Sequence, residues 1–162
     1  MTEMYDYIIV GSGAGGSTLA YRLAQAGVGS VLVIEHGPGD GNPMHRVPKG
    51  SAFTLKGDRY AYQYPTEAIS GTDARETWTR GKVVGGSTTV NGMIYSRGSQ
   101  PDFEALAAHA RADHWGWERV LAAYRAMEDH ALGASAMRGA GGRLGVSAWG
   151  SGGELVDRAF GR

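Results

Sequence analysis

The chain opens with Tyr5-Asp-Tyr-Ile-Ile-Val-Gly-Ser-Gly-Ala-Gly-Gly16, a β-branched run that leads directly into a G-x-G-x-x-G loop at Gly11, Gly13 and Gly16. No other feature restricts the fold as much, because each glycine answers a separate steric demand. Ile8, Ile9 and Val10 are apolar without alternation and read as a buried parallel strand. Gly11 permits the tight turn out of that strand. Gly13 lets backbone N–H groups approach a phosphate with no Cβ between them, and Gly16 lets the next helix lie close to the sheet. The helix carries Leu19, Ala20, Leu23 and Ala26 on one face, and Gly27 suits its C-terminal cap. Val31 to Ile34 form the second strand, closed by Glu35, 19 residues beyond Gly16. The helix N-terminus offers unpaired donors and a positive dipole end to an anion, and a carboxylate at Glu35 can accept from both hydroxyls of a ribose. The same carboxylate repels a 2′-phosphate, which favours FAD or NAD over NADP. In a chain with 27 glycines the loop alone would be weak evidence; the strand, helix and acidic residue around it make it a dinucleotide-binding motif.

A chain of 162 residues is long enough for one domain or one and a half, and 42% hydrophobic content supports a core. The formal net charge is zero, which argues against a nucleic-acid or anionic-membrane partner. There are no cysteines, hence no disulfide, thiolate or iron–sulfur chemistry, and no metal site is expected. Asp6 precedes the first apolar run, which is too short for a signal peptide, and no segment approaches a membrane-spanning length. A cytoplasmic protein is the expectation.

Residues 6–35 form one βαβ unit. Residues 36–79 read as a long irregular stretch rich in Gly, Pro and aromatics, of the kind that wraps a ligand. The Tyr60/Tyr62/Tyr64 alternation within it equally fits an edge strand. Ser99, Pro101 and Asp102 form a helix start, followed by Phe103, Leu106, Ala107 and Ala110 on one face. A further helix over roughly 116–128 places Trp117, Val120, Leu121, Tyr124 and Met127 on its apolar side as core. Glycine dominates from Gly133, and Leu144-Gly-Val146 suggests a strand entering new structure.

A second motif runs Arg80-Gly-Lys-Val-Val-Gly-Gly-Ser-Thr-Thr-Val-Asn-Gly-Met-Ile-Tyr95, continued by Ser96-Arg97-Gly98. On physical grounds it is a Gly85-Gly86 hairpin followed by hydroxyl residues able to cap a helix, presenting N–H groups to an anion or to polar ring atoms. An ordinary Gly-Ser loop fits the same residues. The stretch closely resembles the signature of the glucose–methanol–choline (GMC) oxidoreductase family, R-G-K-x-L-G-G-S-S-x-x-N-x-M-x-Y-x-R-G, with Val84 where Leu is common. Gly11, Gly13 and Gly16 with Glu35 and Gly37 match the FAD-ADP site of that family. The resemblance continues through Asp102-Phe103, Gly116-Trp117, Tyr124 and Glu128 to Gly141–Ser147, where Arg143 replaces the usual Pro.

The resemblance implies FAD as cofactor. Gly11, Ser12, Gly13, Ala14 and Gly16 would hold the pyrophosphate, and Glu35 the adenosine ribose, with His36 beside it. Arg80 joins the cofactor-binding set, and Val83, Gly85 and Gly86 would line the flavin side. Asn91, Gly92, Met93 and Ile94 would run along the pyrophosphate and isoalloxazine. Some family members bond FAD through a histidine just before that Asn; the position here is Val90, so FAD is expected to be non-covalent. The family's catalytic His lies near the C-terminus of a much longer chain. His36, His45, His109, His114 and His130 match no catalytic position, and the last three read as surface groups. No catalytic residue is therefore expected within the chain, which reads as the N-terminal part of a longer enzyme. The expected layout is an α/β, Rossmann-like FAD-binding domain over residues 1–132, with an incomplete sheet. Residues 133–162 would be a linker and the beginning of a substrate domain. The implied function is hydride transfer from a small-molecule alcohol to flavin N5, with a His base supplied by the full-length enzyme. The alternatives are a catalytically inactive FAD-binding module and, less well supported by the second motif, an NAD-dependent dehydrogenase.

Overall fold

The computed structural model describes residues 3–148 apart from Pro48. They divide into two compact units, one up to Ile94 and one from Tyr95 onward. The domain expected over 133–162 falls partly on residues 149–162, outside the described residues. No helix among the described residues is long and apolar enough to cross a membrane.

In the first unit β1 (Tyr7–Val10) and β2 (Val31–Ile34) pair in parallel, Tyr7 opposite Val31 and Val10 opposite Ile34, joined by α1 (Ala14–Ala26). This is the expected βαβ unit. Gly27 ends α1 in the left-handed conformation, its amide donating to the Ala24 carbonyl. The strand starts are tied by Asp6, whose Oδ2 accepts from the Ser30 amide and hydroxyl at 2.7 and 2.8 Å.

The expected burial of β1 needs correction. Ile9 is buried, with its Cγ2 close to Gly16 of α1, but Ile8 is 60% and Val10 84% exposed. Two strands leave β1 with an open edge, and α1 covers one face, so alternate side chains meet solvent. Leu19 is likewise exposed on α1, whereas Ala20 and Leu23 are half-buried.

The stretch 36–79 is more regular than its composition suggests. It contains a 3-10 turn (Pro43–Arg46), one helical turn α2 (Ser51–Thr54), and β3 (Ala61–Pro65), which pairs antiparallel with β4 (Thr77–Gly81). The tyrosine alternation is thus a strand. Ala61, Val83 and Val90 complete the buried apolar set of this unit with Ile9.

The second unit is built on α3 (Gln100–Ala110) and α4 (Trp117–Met127). The Asp102 carboxylate accepts from the Ser99 amide at 3.0 Å and the Ser99 hydroxyl at 2.6 Å, so the expected helix start is present. Phe103 packs near Trp117 and Tyr124, with ring centroids 6.0 and 6.4 Å apart. Trp117 is buried and Val120, Leu121 and Tyr124 are half-buried, but Met127 is exposed, because the helix gives way there to β5 (Glu128–His130). The Leu144–Val146 strand is β6 and pairs in parallel with β5.

Glu128 is fully buried and anchors this unit. Its Oε1 accepts from the Tyr95 hydroxyl and the Arg97 guanidinium, and its Oε2 from the Gly139 amide at 3.0 Å. Arg97 also donates to the Met137 carbonyl at 2.6 Å and lies 5.0 Å from the Tyr124 ring centre. Burial pushes the Glu128 carboxyl up, but the Gly139 amide, Tyr95 and Arg97 outweigh burial and hold it at about 2. Glu128→Gln leaves Arg97 without its counter-charge and should cost about 3–5 kcal/mol in urea unfolding at neutral pH. A carboxyl whose folded value is depressed stabilises above its ordinary range and loses that contribution as pH falls toward the folded value. The gap between wild type and variant should therefore close as pH falls toward about 2; a gap independent of pH would contradict the assignment.

Candidate functional site

Gly11 leaves β1 at φ +91° and donates its amide to the Ile34 carbonyl at 2.7 Å, which fixes the turn against the end of β2. Gly13 is extended and caps α1. Among the described residues the amides of Gly13, Ala14, Gly15 and Gly16 have no acceptor. They are the orphan donors of the first helical turn, at the positive end of the dipole. A Cβ on Gly16 would stand 2.0 Å from the Gly11 carbonyl oxygen, so glycine is required for the helix to start this close to the strand.

Ser12 lies between the two glycine motifs and is buried. Its amide and hydroxyl both donate to Glu35 Oε2, at 2.8 and 2.7 Å. The same hydroxyl accepts from the Gly85 amide at 3.2 Å. Glu35 Oε1 accepts from the Gly37 amide at 2.8 Å. The Gly37 and Ser12 amides hold the Glu35 carboxyl below the usual carboxylate range, so it is an anion at neutral pH. The Ser12 and Gly37 donors occupy both carboxylate oxygens, so Glu35 is braced within the chain itself.

The second motif is packed onto the first through glycine. A Cβ on Gly86, which sits at φ +58°, would come within 2.8 Å of Gly13 Cα. The 3-10 turn Gly86–Thr88 follows, and the Thr88 and Thr89 hydroxyls donate back to the Gly85 and Val84 carbonyls at 2.5 and 2.8 Å. The Val84 amide donates to the Pro38 carbonyl at 3.0 Å, and a Cβ on Gly37 would meet the Lys82 carbonyl carbon at 2.2 Å. Strand end, first loop and second loop thus form one cradle.

Not every expected residue lines it. Val83 is fully buried and supports the cradle from behind, as a core side chain. Arg80 lies on β4 with its guanidinium 5.2 Å from the Trp78 ring centre. His36 is exposed, stacked on Tyr62 and hydrogen-bonded through Nδ1 to its hydroxyl. Tyr62, with Lys82 Nζ 5.4 Å from its ring centre, is a neighbour of His36 that no sequence motif marks. Its signal is the alternation that makes β3 present Tyr62 and Tyr64 on one side. Asn91, Gly92, Met93 and Ile94 are all exposed. Asn91 and Met93 line a cleft of about 250 Å³ with His45, Arg46, Thr88 and Thr89. His45 Nδ1 bonds the Asp40 carbonyl, and His45 Nε2 is buried with no partner among the described residues. No group of residues able to hold a metal occurs among the described residues. His109 and His114 are exposed, as expected, and His130 is half-buried on β5, its Nδ1 accepting from the Leu132 amide.

Ser12→Ala removes the hydroxyl that bridges both loops. It should lower stability by about 2 kcal/mol, the scale of a charge-assisted hydrogen bond, in urea unfolding of the apo protein. A loss below about 0.5 kcal/mol, the level of an ordinary surface change, would show that the bridge carries no weight.

The GMC oxidoreductase family model matches residues 5–160. An oxygen-dependent choline dehydrogenase of Sinorhizobium medicae is 39% identical over 142 residues, covering 87% of this chain and 26% of that protein. An "alcohol dehydrogenase [acceptor]" of Pseudomonas putida is 36% identical over 146 residues, covering 89% of this chain and 26% of that protein. The crystal structure of pyridoxine 4-oxidase from Mesorbium loti superposes with a TM-score of 0.79 at 37% identity, over 86% of this chain and 28% of that one. The chain thus spans about a quarter of the length of the relatives it matches. The family match covers both glycine motifs and the cradle they build, and this chain belongs to the GMC oxidoreductase family.

Proposed function

We propose that the chain binds FAD non-covalently and forms the cofactor-holding part of an oxidoreductase acting on the CH–OH group of a small alcohol. The observation that carries this reading is the packing of Gly86 onto Gly13, which puts a second glycine loop beside the four free amides of the α1 N-terminus. A dinucleotide pyrophosphate needs such donors with no Cβ in the way. Glu35 takes the ribose, with His36 and Tyr62 beside it for the adenosine end. The related proteins named above act on choline, an alcohol and pyridoxine, each of which carries a CH–OH group.

Bound FAD supplies the hydride acceptor for alcohol oxidation. The chain's own residues bind and orient it. The α1 amides neutralise pyrophosphate charge, and Glu35, held ionised by Ser12 and Gly37, excludes a phosphorylated ribose. Val90 is buried and carries no nucleophile, so nothing at that position bonds the flavin. We assign the base to no residue of this chain. In the first unit His36 is tied to Tyr62 and His45 to the Asp40 carbonyl.

The test is titration of apo protein with FAD, followed by flavin fluorescence. Gly13→Val should abolish binding, because its branched side chain enters the space between Gly13 and Gly86. Glu35→Ala should weaken binding by about 1.5–3 kcal/mol, roughly 10- to 150-fold. Unchanged FAD affinity in Gly13→Val would reject the site. Acid precipitation of the holoprotein should leave all flavin in the supernatant; colour in the pellet would reject non-covalent binding.

A further inference from the structure

Met93 adopts φ +57°, a left-handed conformation that an unbranched residue with a Cβ enters only at a cost. Met93 is 61% and Ile94 86% exposed, so among the described residues no surrounding core imposes this conformation. The only hydrogen bond among the described residues that holds it is local. Asn91 Oδ1 accepts from the Met93 amide at 2.8 Å. Asn side chains stabilise such turns by bonding the backbone two residues on. The amides of Gly92 and Ile94, on either side of Met93, have no acceptor among the described residues. Asn91 and Met93 both line the cleft of about 250 Å³ described above.

We propose that Asn91 is a positioning residue, whose side-chain carbonyl locks Met93 in the left-handed conformation and so presents the exposed 92–94 backbone to the cofactor. Its acceptor oxygen is spent on the chain itself and not on the ligand. The lock disposes the Gly92 and Ile94 amides as free donors for polar ring or phosphate atoms, and keeps the Met93 side chain on the cleft wall. Backbone held in a sparsely populated region at an exposed ligand-facing segment is costly unless a function retains it. This inference rests on the FAD reading for its functional half; the lock itself does not.

A double-mutant cycle in the intact protein separates the two. The variants are Asn91→Ala, Met93→Gly and the double variant, with Asn91→Asp as the conservative replacement that keeps an acceptor oxygen. Hydrogen exchange at residue 93 in the apo protein reads the lock without cofactor. FAD affinity and the flavin absorption spectrum read its consequence. Asn91→Ala should speed exchange at residue 93 and weaken FAD about tenfold, the scale of a lost left-handed preference. In the Met93→Gly background the same substitution should weaken FAD less than about threefold, because glycine enters that conformation freely. Asn91→Asp should keep slow exchange at residue 93 in the apo protein, because it keeps the acceptor oxygen; fast exchange would overturn the lock. An equal loss in both backgrounds would overturn the proposal, since it would mean that Asn91 contacts the ligand directly. Unchanged exchange in Asn91→Ala would also overturn it. If the wild-type protein failed to bind FAD while exchange followed the expected order, the cofactor reading would fall and the lock would stand.

Discussion

The Ser12 hydroxyl is the interaction on which the cradle depends. It donates to Glu35 and accepts from the Gly85 amide, so one buried oxygen joins the β2 end, the first glycine loop and the second. The two loops are 73 residues apart in sequence, and this bond ties them directly. Glycine-on-glycine packing at Gly13 and Gly86 provides no side-chain contact to hold the loops together; it only allows them to come close. A directional bond is needed to choose the register, and a small hydroxyl that both donates and accepts meets that need without filling the space a ligand requires.

The cost of this arrangement falls on Glu35. Three protein donors satisfy the carboxylate and keep it ionised across the neutral range, but they leave it little capacity for a ligand. Glu35 is thus an internal brace of the loops, and under the proposed FAD reading its charge would repel a phosphorylated ribose, because Coulomb repulsion does not need a free lone pair. Glu35 bonds Ser12 in the loop that leads from Gly11 into the α1 N-terminus, so a fixed anion and the positive end of the helix dipole are joined by one loop.

What the sequence made legible followed range and symmetry. The βαβ unit, the Gly27 cap, the Ser99–Asp102 helix start and β6 rest on local chemistry, and each appears where its residues place it. The exposure of Ile8 and Val10 is not legible from the strand, because burial depends on neighbours that a strand's own residues do not specify. Val83 sits inside the second glycine motif yet is fully buried, since a turn reverses facing within one or two residues. β3 was half visible: the tyrosine alternation signals a strand, but its pairing with β4 across a dozen residues is a long-range event. The left-handed Met93 has no signature of its own type; only the Asn91 two residues before it could have suggested it.

The claim that the two glycine loops form one dinucleotide cradle is tested most directly by amide chemical-shift mapping during titration with FAD and, separately, with NAD. The account predicts that FAD moves the Gly13, Ala14, Gly85 and Gly86 amides together, along a single saturation curve, and that NAD leaves Gly85 and Gly86 largely in place. Shifts confined to the first loop with FAD, or equal shifts at both loops with NAD, would contradict it.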